Sequence, residues 1–153
     1  WDAACTRVAT WAKLKEKSTG KEFLMVNTHF DHVGTEARRN SALLIIDKIK
    51  EIAGTHPSMM TGDFNVSEEW EAYKTITSNE FVLKDAWKIA AKQTGESYTF
   101  HDFGRVPVAE REKIDFIFVT PPIKVADAEI ISSAITDSTY LSDHNAHLAD
   151  LEF

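Results

Sequence analysis

Cysteine is nearly missing: Cys5 is the single one in 153 residues. One thiol excludes an internal disulfide and any zinc site built from several cysteines. Lying near a strand start, it reads as a small buried apolar residue. Glycine and proline are sparse, six and four. With no internal repeat and no low-complexity tract, that excludes a collagen-like or linker-rich chain. No apolar run nears the ~20 residues a membrane helix needs. Trp1-Asp2-Ala3 is neither basic nor apolar enough to open a secretory leader. Positive charge is short too: 17 Lys and Arg stand against 24 Asp and Glu, a net −7. Such a chain is a poor trap for bulk nucleic acid, although an acidic site that holds cations accounts for part of the excess. What is present, 43% hydrophobic and 10% aromatic residues, suffices for the core of one globular domain.

The stretch Met59-Met60-Thr61-Gly62-Asp63-Phe64-Asn65 organises the rest. If Ser58 to Thr61 is a strand, side chains two apart leave it on one side, so Asp63 and Asn65 point together beyond its carboxyl end. Gly62 lets the backbone turn or a ligand come close. A carboxylate beside a carboxamide suits a hard divalent cation, or a phosphate and its attacking water. An Asx turn satisfying its own backbone is the plainer alternative.

Around it, Thr6 to Lys15 alternates as a half-buried strand, and Ser18-Thr19-Gly20 turns it into a second strand over Phe23 to Thr28. Thr35 reads as the N-cap of a helix carrying Ala42, Ile45, Ile46, Ile49 and Ile52, stopped at Gly54. Ser67 caps a shorter helix with Trp70, Tyr73 and Ile76 on one face. Phe81 to Ala91 is ambiguous, with Val82, Ala86, Ile89 and Ala90 allowing a helix. Gln93 to Arg111 reads as a long loop with Ser97 to Phe100 extended, and long loops are often functional. Ile114 to Thr120 is apolar on both faces except Asp115, so it is a central strand. Val125 to Ile135 and His147 to Phe153 are strands, and Asp137 to Leu141 is a loop between them. Polar clusters therefore recur at strand ends: His29 to His32, Asp63 with Asn65, Asp115, and Asp143 with His144. α/β enzymes place their sites at strand ends.

Asn27-Thr28-His29, Gly62-Asp63-Phe64-Asn65, Lys113-Ile114-Asp115-Phe116-Ile117 and Ser142-Asp143-His144 follow one another in this order. Together they resemble the endonuclease/exonuclease/phosphatase superfamily, the DNase I-like enzymes, from Arg7 to the last strand. The resemblance implies an α/β (α+β) four-layer sandwich. This chain, residues 1–153, would supply about half of it, as the carboxyl-terminal part: one mixed, mostly antiparallel sheet with flanking helices. It implies a hydrolase that uses Mg²⁺ or Mn²⁺ to cut a phosphodiester or phosphomonoester by in-line attack of water. By resemblance Asp63 orients or deprotonates that water, and Asn65 holds it or a phosphate oxygen. His144 contacts the phosphate with Asp115 as its partner, and His29 faces the phosphate from the other side. Asp143, Asn65 and Asp63 serve the metal. Family members also bind the metal through an Asn and a Glu on strands that precede the Arg7 to Trp11 stretch, and Glu16, Glu22 and Glu36 sit in the wrong places to replace them. The expectations are weak hydrolysis by this chain alone, and an apolar face covered by the missing amino-terminal half or a second copy.

Other readings stay open. A non-catalytic half-domain serving as an interaction module is one. A transition-metal hydrolase using His29, Asp31 and His32 is another, although Asp31 and His32 suit a loop-stabilising pair better. Arg38 and Arg39 read as a solvated helix face, with a lesser chance that Arg38 reaches a phosphate. Tyr98 and His101 divide evenly between a substrate loop and a solvent-facing one. Trp11, Trp70 and Trp87 read as core, and His56 and His147 as without function. The substrate is a phosphorylated small molecule or a nucleic acid, and the low basic content favours the former.

Overall fold

The computed structural model describes residues 1–78, 81 and 83–153. The strands are β1 (Ala9–Lys15), β2 (Glu22–His29), β3 (Ser58–Asp63), β4 (Lys84–Asp85), β5 (Lys92–Gly95), β6 (Asp115–Val119), β7 (Lys124–Ile131), β8 (Ala134–Thr136), β9 (Thr139–Tyr140) and β10 (Ala146–Glu152). The helices are α1 (Thr35–Ala53), α2 (Glu71–Thr77) and α3 (Ala86–Ile89). Five strands form a mixed sheet in the order β1-β2-β3-β6-β4, in which only β2 and β3 run parallel. A single sheet was the expectation. A second, three-stranded one in the order β10-β7-β5 stands beside it, with β8 and β9 as a separate pair. The segment read as a loop from Gln93 thus carries most of β5, parallel to β7. Its polar sequence hid a strand whose side chains are all exposed.

Helix α1 forms because Ala42, Ile45, Ile46, Ile49 and Ala53 recur at helical spacing and bury one stripe. Its N-cap is Gly34, not Thr35. The capping comes from afar: the Asp2 carboxylate accepts the amides of Glu36 and Ala37 at 3.2 and 2.7 Å, and these bonds hold that carboxyl below its usual range. Gly54, at φ +60°, ends the helix as expected. Nor does Ser67 cap α2 through its side chain; Trp70 holds that position. Asp85 does cap α3, accepting the Trp87 amide at 2.9 Å. Val82, read as part of that helix, lies outside the described residues.

One face of the large sheet packs under α1 and α2. Leu24, Val26, Met60, Phe116 and Phe118 meet Phe30, Phe64, Ile46, Ile49, Tyr73 and Ile76 there. Phe64 stands edge-on to Phe118 at 5.1 Å and to Phe30 at 4.9 Å. The opposite face meets the second sheet along β6 and β3, where Val119, Val125 and Ile123 pack with Met59, Ile117, Ala149 and Leu151, and at the start of β2, where Phe23 lies 4.6 Å from the Phe153 ring. Towards β1 it is open. Strand β1 is exposed along its whole length rather than half-buried, because it is an edge strand paired with β2 alone. Trp11 and Trp70, expected in the core, are 52% and 43% exposed, and Trp87 is half-buried. Cys5 is exposed as well. Among the described residues no helix is long and apolar enough to cross a membrane.

Candidate active site at the sheet rim

Register builds the site. Strand β2 pairs His29 with Asp63 of β3, and β3 pairs Asp63 with Asp115 of β6. The three side chains therefore form one row across the carboxyl ends of β2 and β3, on the face the helices do not cover. Gly62 makes the close parallel approach possible: its φ is +155°, and a β-carbon there would collide with the Thr28 carbonyl oxygen. A neighbouring strand, not a ligand, needs the space. Beyond Asp63 the chain turns through Asn65 at φ +50°. The Asn65 amide N–H donates to Asp63 Oδ1 at 2.8 Å, and its carboxamide donates to the Phe30 carbonyl at 3.0 Å. The Asx turn is thus real, and it fixes Asp63 rather than competing with a site.

His144 arrives from the loop before β10. Its Nδ1 donates to Asp115 Oδ2 at 2.7 Å, and its Nε2 lies 3.9 Å from Asp63 Oδ2. His29 Nε2 approaches the same Asp63 oxygen at 3.3 Å. Asp63, Asp115 and His144 offer donor atoms that all lie within 4.8 Å of one another. The electrostatics are coupled. The hydrogen bond to Asp115 raises the His144 pKa above its ordinary 6.5, against burial, which lowers it. Burial, and then the charge of Asp115, push Asp63 up from its usual 3.8. An open cleft of about 580 Å³ runs along the row, lined by Asn27, Thr61, Asp63, Asp115, Asn145 and His147 among others.

Asp143 stands apart from this cluster; its carboxylate accepts the Ser142 hydroxyl at 3.3 Å. Asp31 and His32 are not a mutual pair. Asp31 is buried and accepts four amides, from Ala4, Cys5, Val33 and Gly34, which drive its pKa far down. His32 Nδ1 meets Arg7 at 3.1 Å. His29 joins Asp63 instead of them, so the three residues of the transition-metal reading do not converge. Arg38 is no solvated cation: it is buried, donates to the Asp31 carbonyl at 3.0 Å and lies over Trp70. Arg39 pairs with Glu71 at 2.6 Å. His101 is buried too, its Nε2 donating to Ser133 Oγ at 2.9 Å. Glu16 and Glu22 sit at the far end of the β1–β2 hairpin from the rim.

Other supports escaped the sequence. His147, read as without function, lies under the site, with Nδ1 donating to the Asp115 carbonyl at 3.3 Å and Nε2 buried without a partner among the described residues. Burial lowers its pKa. Thr99 Oγ1 accepts the amides of Ile114 and Asp115, both at 3.0 Å, anchoring the start of β6. Phe100 packs on the His144 ring at 5.0 Å. Lys113, nearly buried, binds Asp85 at 3.0 Å and Glu68 at 3.1 Å, tying the loop after Asn65 to β6. An ionisable residue two positions before a site aspartate was the signal for Lys113; nothing in the sequence marked Thr99.

The chain matches a crystal structure from Bacteroides vulgatus, an endonuclease/exonuclease/phosphatase, with a TM-score of 0.94 and 64% identity, over 99% of this chain and 57% of that one. The chain belongs to the endonuclease/exonuclease/phosphatase superfamily. A mannosyl-6-phosphatase from Bacteroides thetaiotaomicron is 33% identical with a TM-score of 0.89, over 100% of this chain and 60% of that one. Nocturnin from Drosophila melanogaster is 31% identical over 86 residues, 50% of this chain and 12% of Nocturnin. No protein-family model matches the chain. The superfamily member described here spans 57% to 60% of the two solved structures named. Its mixed α/β architecture is theirs, DNase I-like, and its neighbours are hydrolases acting on ester bonds.

Proposed function

We propose that this chain carries most of the active site of a divalent-metal-dependent phosphoesterase that hydrolyses a phosphate ester of a small molecule. The observation that supports it most is the row of His29, Asp63 and Asp115 with His144 bonded to its end. Asp63, buried enough to hold a proton more readily than usual, orients the attacking water and accepts its proton. His144, kept protonated by Asp115, donates to the phosphate oxygens as charge gathers there. His29 donates from the other side of Asp63.

The donor set suits a hard cation. Two carboxylates stand close, one raising the other's pKa, which is the mark of a site short of positive charge. Asp63 and the Asn65 carboxamide oxygen would hold Mg²⁺ or Mn²⁺. These are part of an octahedral set, and Mg²⁺ ordinarily completes such a set with water and substrate phosphate. When bound, the ion supplies charge neutralisation at the phosphate and a more acidic water.

Residues 1–153 are then the carboxyl-terminal part of the domain. The open face running from β2 to β1, with Leu14 42% exposed, takes the amino-terminal half of the sandwich, and without it turnover is weak. The same bare face favours the second reading, a half-domain that serves as an interaction module. The substrate is a phosphorylated sugar or similar metabolite, because a net charge of −7 repels a polyanion. Phosphate release from mannose 6-phosphate, with Mg²⁺ and with chelator, tests this on residues 1–153 and on a chain extended to the length of the matched structures. Metal-dependent release by the longer chain, abolished by Asp63→Asn, is expected. No release by either chain from any phosphate ester supports the module, and vigorous release by residues 1–153 alone refutes the half-site.

A further inference from the structure

A second cleft, of about 490 Å³, lies between the 96–111 segment and the β8–β9 pair. We propose that it binds an uncharged polyhydroxylated ring, a sugar, beside the phosphate site. Its walls offer Glu96, Tyr98, Arg111, Thr136, Asp137 and Tyr140. Arg111 is already fixed: Nε donates to the Val106 carbonyl at 2.9 Å, Nη1 donates to the Tyr98 hydroxyl at 2.6 Å, and the guanidinium lies over the Tyr98 ring at 4.9 Å. That geometry leaves Nη2 for a ligand. Glu96 and Asp137 accept hydroxyl protons. Val108 and Ile135, 71% and 61% exposed, form apolar lips on which the C–H face of a ring packs.

Charge decides the ligand class. One guanidinium faces two carboxylates, so the cleft repels a second phosphate or a nucleic-acid backbone while still offering donors and acceptors to a neutral polyol. The turn that follows His101, itself a wall of the cleft, is also built rather than incidental. Asp102 and Phe103 hold left-handed backbone at φ +47° and +52°, and Gly104 continues it. Non-glycine residues in that region are strained and persist where surroundings dictate them. Here buried His101 dictates them, accepting the Gly104 amide at its Nδ1 and the Val106 amide at its carbonyl, with its ring 4.8 Å from Tyr140. Asn145, next to His144 in sequence, lines both clefts and is held by the Ser133 amide and the Tyr98 carbonyl. A ring in the second cleft therefore lies across one side chain from the rim. The inference rests on the phosphoesterase reading only for what that ring is joined to.

Amide NMR spectra of residues 1–153 test it, with methyl α-D-mannopyranoside and, separately, inorganic phosphate together with Mg²⁺ added. The sugar is expected to move the signals of Glu96, Arg111 and Thr136. Phosphate is expected to move those around Asp63 and His144. Arg111→Met weakens the sugar response about tenfold, ~1.4 kcal/mol. Asp137→Ala, on the exposed hairpin, weakens it too and serves if the first variant does not fold. Cleft signals moved by phosphate and not by sugar, or moved by neither, overturn the proposal. Sugar shifts without any phosphate response at the rim uphold the cleft and overturn the phosphoesterase reading alone.

Discussion

The two faces of the five-stranded sheet are made by the same strands and behave oppositely. On β6, Phe116 and Phe118 point to the helices and are buried, while Asp115 and Ile117 point the other way and are only half-buried. On β3, Met60 is buried and Asp63 stands at the open rim. The period of two along a strand separates folding from chemistry, residue by residue. The helix side is apolar and aromatic apart from buried Ser58 and Thr28. Across the other side, β2, β3 and β6 present Met25, Met59 and Val119 in one row, then Asn27, Thr61 and Ile117, then His29, Asp63 and Asp115. The gradient from apolar to polar to ionisable ends where the strands end.

Substitutions on the two faces should therefore split cleanly between activity and stability. Asp63→Asn has the largest expected effect, a fall in kcat on the order of 10⁴-fold in the extended chain, with the urea midpoint unchanged or raised, since it removes a carboxylate that burial and Asp115 disfavour. Phe64→Ala does the reverse: about 3–5 kcal/mol of stability is lost by urea denaturation, because its ring packs on Phe30, Phe116 and Phe118. Lys113→Met breaks the division, since Lys113 serves both faces. It strands buried Asp85 without its cation and costs about 3 kcal/mol, and it also loosens the loop after Asn65, so kcat falls with the melting temperature. Leu14→Ser, on the open face, changes stability by less than about 0.5 kcal/mol in residues 1–153. A larger loss would mean that this face is covered in solution.

The pH dependence follows the same division. His144 has a raised pKa in the folded chain, so its pairing with Asp115 stabilises the fold fully below 6.5 and is lost as pH climbs past the raised value. Asp63, raised above 3.8, must ionise to act as a base. The rate should then follow a bell, limited by Asp63 on the acid side and by His144 on the alkaline side. Asp115→Asn pulls the alkaline limb down towards the ordinary histidine value, while Phe64→Ala leaves both limbs where they are.

Much of this was legible in the sequence because strand ends and apolar periodicity are local signals. The β1–β2 hairpin, α1, β3, β6 and the meeting of Asp63, Asp115 and His144 all follow from runs of a few residues and from the four ordered motifs. What was not legible depended on distant partners. Asp2 caps α1 from 34 residues away, so Thr35 looked like the cap. Arg38 is buried because the Asp31 carbonyl and the Trp70 ring surround it, which no helix pattern records. Exposed β5 carries no hydrophobic alternation, so only its pairing with β7 reveals it. Trp11 looked like core because alternation shows which face a residue takes, and cannot show that β1 is an edge strand at the margin of α1.

The central claim is that the rim's acids and imidazoles form one electrostatic unit. An NMR titration of the His144 imidazole in residues 1–153, repeated in Asp63→Asn and Asp115→Asn, tests it directly. The account predicts a midpoint above 6.5 in the parent chain, a small decrease in Asp63→Asn and a larger one in Asp115→Asn. A midpoint at the ordinary value in the parent chain, unmoved by either substitution, would contradict it.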